Sequence, residues 1–318
     1  MKNIKINILM LGAFALFLTS CLKEGTMNTD PTFASNVVEL ANTGDNVTTS
    51  GLAGFYSDLG SVAAGASKTF NVNVHYTGPG VAPQDIVVTL AADQASLDVY
   101  NTQNGTTKVI PPTTVASFPT SVTIAKGTSQ TTVKATITVS PDFNFNKAYG
   151  LPIKITAVST GVISGNYAAA VYSFGVRNIY DGDYTGTGTM VDYANSGLTG
   201  RYPMDAALVT SGASTVRLYD YATGGIYHSI LSGTSTSYYG AFGVEFAIDP
   251  ATNKVTSVVN VYGQPASNGR SAELDPSGIN AWDPVAKTLK VKYWMNQPSV
   301  IAGHRTSFNE TFTYVGVR

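Results

Sequence analysis

The sequence predicts an all-β protein, a β-sandwich followed by an antiparallel up-and-down β-barrel or a second sandwich. Apolar and polar residues alternate at a period of two in short runs, each closed by Gly, Pro, Asn or Asp. No stretch sustains a helical period. Charged residues make up only 12% of the 318-residue chain, while Thr, Val, Tyr, Gly and Ser recur throughout, a composition suited to pleated, half-buried surfaces.

The first element is not a strand. Lys2 and Lys5 precede an apolar run from Ile8 to Leu18, the charged and hydrophobic regions of a secretory signal, and the run is too short to span a bilayer. It ends in Leu18-Thr19-Ser20-Cys21, which holds the only cysteine of the sequence and resembles a bacterial lipobox. That resemblance implies a signal peptide over 1–20, cleavage before Cys21 and a diacylglycerol on its thiol; cleavage at another small residue is the alternative. Two acyl chains give the stable anchoring that one does not. With Cys21 acylated no thiol remains for a disulfide, so the folded parts stand on their cores. Residues 21–34 are polar and aperiodic, a tether, and Lys23-Glu24 is similar to the charged surface-export signal of some bacterial lipoproteins.

A first folded unit is expected over 35–177, with strands at Thr69–Tyr76, Ile86–Ala92, Thr131–Ser140, Leu151–Ser159 and Ala168–Val176. In the first of these, Phe70, Val72, Val74 and Tyr76 form one face and Asn71, Asn73 and His75 the other, as in a sheet with one wet side. The strand spacing favours a sandwich of immunoglobulin type, without the hallmark cysteines and core tryptophan. Asp93–Asn101 is a short helical turn with Leu97 and Tyr100 on one side. Val109-Ile110-Pro111-Pro112 and Phe118-Pro119 mark edge connections. Leu97 to Asn101, Ser121-Val122-Thr123-Ile124-Ala125-Lys126-Gly127 and Tyr149-Gly150-Leu151-Pro152-Ile153-Lys154-Ile155 resemble, in that order, an N-terminal immunoglobulin-like domain of unknown function from Bacteroidota lipoproteins of Sus-type polysaccharide-utilisation systems. The resemblance implies a spacer or binding module beside a glycan importer and supplies no catalytic residue. Read alone, Ile124, Leu151, Ile153 and Ile155 are core and Lys126-Gly127 is a turn.

A polar turn near Arg177–Gly182 leads to a second unit over 180–318, which holds 12 of the 18 tyrosines and both tryptophans. Eight strands are expected, at Tyr184–Asp192, Met204–Thr210, Thr215–Tyr219, Ile226–Ser232, Ala241–Ile248, Val255–Tyr262, Thr288–Met295 and Thr306–Val317. Joined by tight turns, they fit a meander that closes into a small barrel. Asp249-Pro250-Ala251-Thr252-Asn253-Lys254 and Asp283-Pro284-Val285-Ala286-Lys287 are near-duplicate hairpin turns opened by Asp-Pro. Tyr184-Thr185-Gly186-Thr187-Gly188 and Glu310-Thr311-Phe312-Thr313-Tyr314-Val315-Gly316 resemble the opening and closing strands of lipocalin-like C-terminal domains in the same lipoproteins. Gly186 and Gly188 allow the bend a closing sheet needs.

Catalytic and metal signals are missing. His75, His228 and His304 are far apart in sequence, with none of the spacing a metal site uses, and no nucleophile elbow, phosphate loop or zincin helix is present. No cofactor is implied. The net charge of −1 and lack of a basic run argue against nucleic acid as a partner. Glycoside hydrolysis needs two carboxylates across a cleft. Glu245 opposes the Val244, Phe246, Ile248 face and points to solvent, whereas Glu310 shares parity with Phe312 and Tyr314 and points inward, paired with Arg305 or Lys292 as a structural salt bridge.

Aromatic residues carry the functional expectation. Tyr219 and Tyr221 flank a strand end, Tyr238-Tyr239 follows a Ser/Thr-rich loop, and Trp282 precedes a turn; rings so placed can stack on sugar faces. Trp294, alternating within a strand, is read as core. These residues and the resemblances together imply a non-catalytic lipoprotein of the bacterial outer membrane that binds a polysaccharide or oligosaccharide beside a TonB-dependent importer and its lipoprotein lid. The alternatives are a structural or adhesive spacer and a lipocalin-like binder of a small apolar ligand, which requires an open barrel interior.

Overall fold

The computed structural model describes residues 35–41, 45–46 and 51–318. The signal segment, Cys21 and the tether lie outside the described residues. No helix among the described residues is long and apolar enough to cross a membrane.

Alternation of apolar and polar residues builds eleven strands over the first part: β1 Val37–Ala41, β2 Asp45–Asn46, β3 Ala53–Ser61, β4 Ser67–Thr77, β5 Ile86–Ala92, β6 Ala116–Ser117, β7 Ser121–Ile124, β8 Gln130–Thr138, β9 Gly150–Val158, β10 Val162–Ile163 and β11 Ala169–Arg177. They form two sheets, ordered β10-β1-β4-β8-β6 and β2-β3-β11-β9-β5-β7. Phe70, Val72 and Val74 of one sheet and Ile86, Ile153 and Tyr172 of the other share one buried cluster, so the sheets pack face to face as a sandwich. The helical turn is longer than expected: α1 runs Gln94–Asn104, because Asp93 caps its start by accepting from the Ser96 amide and Gly105 ends it at φ 61°. Leu97 and Tyr100 are its buried residues.

The second part holds β12 Gly182–Asp192, β13 Leu198–Gly200, β14 Met204–Thr210, β15 Thr215–Asp220, β16 Ser229–Ser232, β17 Ser235–Tyr238, β18 Val244–Asp249, β19 Lys254–Asn260, β20 Ser271–Leu274, β21 Ala281–Asp283, β22 Thr288–Asn296 and β23 His304–Gly316. The path β14-β15-β18-β19-β21-β22-β23-β12 is closed by pairing of β12 with β14, an eight-stave antiparallel barrel. β20 and β21 both pair with β22 and lie along it in one direction, so they are two halves of one stave interrupted at 275–280. The predicted strand at Ile226–Ser232 is not a stave. Its ordered part, β16, pairs with β13 and β17 and makes a flap beside β12, while the interrupted stave containing Trp282 takes its place in the ring.

Gly186 and Gly188 serve close approach. A Cβ on Gly186 would meet the Met204 side chain at 2.6 Å, and one on Gly188 the Asn309 carbonyl at 2.4 Å; the register shift in β12 falls at Asp183/Tyr184 instead. Both Asp-Pro turns are as read, with Asp249 accepting from the Ala251 amide and Asp283 from those of Val285 and Ala286. Inward positions are filled by Tyr184, Phe246, Tyr293, Phe308 and Phe312, all sealed from solvent. A void able to hold even one water would leave exposed area on its lining. The barrel interior is therefore a packed core, without the open interior that the lipocalin-like alternative requires.

Candidate functional site

The two ends of the barrel differ. The end next to the linker, where Asp183 pairs with Gly316, is closed by four-residue turns at 211–214, 250–253 and 284–287. The far end, where Asp192 pairs with Thr306, carries 193–203 with β13, 221–243 with the β16–β17 hairpin, 261–270 and 297–303. Long connections on a rigid scaffold are where binding groups concentrate.

At the far end the exposed Tyr238 and Tyr262 and the half-buried Tyr227 form a platform. Tyr238 ends the edge strand β17, and its register partner Ser229 lies two residues after Tyr227, which places the two rings side by side with centroids 4.7 Å apart. Tyr262 stacks on Tyr227 at 5.4 Å and an interplanar angle of 8°. Tyr238 is 49% and Tyr262 41% exposed. Partial burial and the neighbouring Tyr227 hydroxyl raise the Tyr262 pKa, so that hydroxyl stays a donor. Asn260 holds the loops in place: its Nδ2 donates to the carbonyls of Ala241 and Arg270, each at 3.0 Å, and its Oδ1 accepts from the amides of Gly243 and Tyr262, each at 3.2 Å. Four bonds saturate an asparagine side chain.

Beside the platform lies a charged cluster. Asp192 accepts from the Tyr239 hydroxyl at 2.5 Å and from Arg305 Nε at 3.3 Å. The guanidiniums of Arg270 and Arg305 lie over the Tyr239 ring, 5.3 and 5.2 Å from its centroid. Both also donate to Oε1 of Gln297, Arg270 through Nε at 3.1 Å and Arg305 through Nη1, and Arg270 Nη1 donates to the Gly240 carbonyl.

Inside the barrel is a second polar cluster. Glu310 is 1% exposed, inward as its parity predicts. Its partners are not Arg305 or Lys292. Both have the opposite strand parity and bond elsewhere, Arg305 to Asp192 and Lys292 to Asp275 at 3.0 Å. Glu310 instead accepts from Tyr202 at 2.6 Å and Tyr293 at 2.8 Å, and His228 Nε2 lies 2.5 Å from its Oε1. His228 Nδ1 donates to the Ser229 carbonyl at 2.8 Å. The Ser229 carbonyl only accepts, so Nδ1 carries a proton, and a second proton is held between Nε2 and Oε1 of Glu310. Burial alone pulls the His228 pKa down, but the charge and hydrogen bond of Glu310 outweigh it and leave it raised. Burial, then the Glu310 charge, holds the Tyr202 hydroxyl far above its ordinary range. Glu310, His228 and Tyr293 are buried, and only Tyr202 is half-buried.

The aromatic residues singled out from sequence fall on both sides of the wall. Trp282 is 5% exposed, and its ring meets Tyr180 and Tyr184 edge-on at 5.5 and 6.2 Å; it is core, with no face free for a sugar. A shallow groove of about 510 Å³ beside it is walled by Lys254, Ile279, Thr288 and Lys290 and uses little of the ring. Tyr239, 3% exposed, is likewise core, because its hydroxyl and face are taken by Asp192 and the two arginines. Tyr238 joins the platform. Tyr219 and Tyr221 form a separate edge-on pair at 5.3 Å on the outer wall, where the Tyr221 hydroxyl donates to Asp183. Trp294, read as core, instead lies half-buried on the outer wall with His304 stacked on it at 3.8 Å. Sequence reasoning missed Tyr227 and Tyr262; each follows a short apolar residue at the mouth of a long loop, a weak signal.

Comparison with known proteins bears on the fold. Residues 53–162, from β3 into β10, match the model of a family described as "-like, N-terminal domain". No curated protein matches the chain. An auxiliary nutrient binding protein from Bacteroides thetaiotaomicron is similar at a TM-score of 0.39 and 17% identity, over 86% of this chain and 93% of that one. A Bacteroides ovatus protein of unknown function is similar at a TM-score of 0.47 and 12% identity, over 87% and 93%. Another B. ovatus protein of unknown function reaches a TM-score of 0.53 at 12% identity, over 89% of this chain and 96% of that one. That last likeness shows a common fold along nearly the whole described chain.

Proposed function

We propose that this chain is a non-catalytic surface lipoprotein, anchored through Cys21, that binds a polysaccharide or oligosaccharide at the far end of its barrel as an accessory to a glycan uptake system. The observation that carries the reading is the Tyr227, Tyr238, Tyr262 platform. Flat rings held at fixed angles present apolar faces to the C–H face of a sugar, and the exposed Tyr238 hydroxyl can reach its oxygens. In that role the partners are a TonB-dependent importer and its lipoprotein lid, and the outer membrane is the address.

Affinity electrophoresis against a polysaccharide panel tests it. A Tyr238→Ala/Tyr262→Ala double variant is expected to lose about tenfold or more in affinity without a change in melting temperature, since both rings are exposed. Unchanged affinity removes the platform from the site. Retention of no polysaccharide, with a protein partner recovered by crosslinking, favours the spacer reading instead.

A further inference from the structure

We infer that the glycan taken at this end is anionic, and that Arg270 and Arg305 receive its carboxylate or sulfate; this rests on the far-end reading above. Two guanidiniums share one ring, Tyr239, and one acceptor, Gln297 Oε1. Among the described residues, only one carboxylate, Asp192, contacts either of them. Asp192 is itself saturated by two amides, the Tyr239 hydroxyl and Arg305. The cluster therefore carries one uncompensated positive charge, and the like charges are held together by neutral groups. Such a pair repels itself at rest and is relieved by an anion between or beside the two forks. Burial, and then the charge of Arg305, lowers the Arg270 pKa, the same frustration seen from one member.

The donors are also available. Nη2 of Arg270 and Nη2 of Arg305 make no hydrogen bond to the described residues, and neither is sealed from solvent. An unbonded Nη2 on each guanidinium can donate to an oxygen of a carboxylate or sulfate. The pair adjoins the tyrosine platform through shared loops: Arg270 bonds the carbonyl two residues after Tyr238, and Asn260 joins the Arg270 carbonyl to the Tyr262 amide. One bound chain can thus stack on the rings and place a charged substituent at the arginines.

The test compares polygalacturonate, dextran sulfate and neutral dextran by isothermal titration with the folded chain. The inference expects either anionic polymer to bind at least about tenfold tighter than the neutral one. Which anion wins separates carboxylate from sulfate. The preference should fall steeply between about 50 mM and about 500 mM salt. Arg270→Gln should abolish it, whereas Lys290→Gln, at the other end of the barrel, should leave it intact. If Arg270→Gln lowers the melting temperature, Arg270→Lys, which keeps the charge and loses the fork, should retain part of the preference. Equal binding of neutral and anionic polymers, with the tyrosine variant still weakened, overturns the charge inference and leaves the glycan reading standing. An anionic preference that survives Arg270→Gln overturns it also. Binding of none of the polymers, and of no other glycan in the panel, sinks both.

Discussion

The barrel holds two polar networks, each built around one carboxylate and a tyrosine hydroxyl, one inside the wall and one at its far rim. In the inner network Glu310 faces His228, Tyr202 and Tyr293, charge is balanced, and no solvent reaches the carboxylate. In the rim network Asp192, Tyr239, Arg270, Arg305 and Gln297 leave one charge and two unbonded Nη2 groups over. The difference teaches how to sort buried polarity. A satisfied, neutral network fixes one packing of a core, and an unbalanced one that reaches solvent is prepared for something that arrives later.

Removing the carboxylate from the inner network should have the largest effect. Glu310→Leu leaves His228 Nε2 and two tyrosine hydroxyls without their buried partner, so thermal unfolding should show a loss of about 3–5 kcal/mol; Glu310→Gln should cost less because it still accepts. A loss under about 1 kcal/mol would mean that the inner network does not fix the core. Next comes pH. The folded pKa of His228 is raised above an unfolded value near about 6.5. Its stabilisation is therefore complete below that value and is lost as pH rises through the folded pKa. The groups facing it are Glu310, Tyr202, the Ser229 carbonyl and, nearby, Asp220. Melting temperature should decline into the alkaline range, and His228→Gln should flatten that decline; an unaltered slope would assign it to other groups. The smallest effect belongs to the outer wall. Arg217 bonds Glu245 at 2.8 Å, but its side chain is well exposed, so Arg217→Ala should cost at most about 0.5 kcal/mol in a denaturant titration.

Much of the wall was legible because strand parity is local. Phe70, Val72 and Val74 turn inward, Glu245 outward and Glu310 inward, as alternation alone requires. What faces a residue from another stave is not local. His228 and Glu310 are 82 residues apart and meet because β16, through β13 and β12, is carried beside β23. Trp282 shows the same limit: a position next to a turn reads as exposed, yet the interrupted stave carries it inside against Tyr180 and Tyr184. The platform was half legible. Tyr238 stood out as part of a doublet, while Tyr227 and Tyr262 acquire meaning only once their loops gather at one rim.

β12 and β23 run side by side through ten successive pairs, from Asp183 with Gly316 beside the linker to Asp192 with Thr306 at the far rim. A chain held at the linker and tugged at the rim, as by a long polymer in moving fluid, loads these two staves along their length. Their cross-links are then sheared together instead of being unzipped one after another. The longest ladder of the barrel lies along the line of tension, so it can act as the tendon of the molecule.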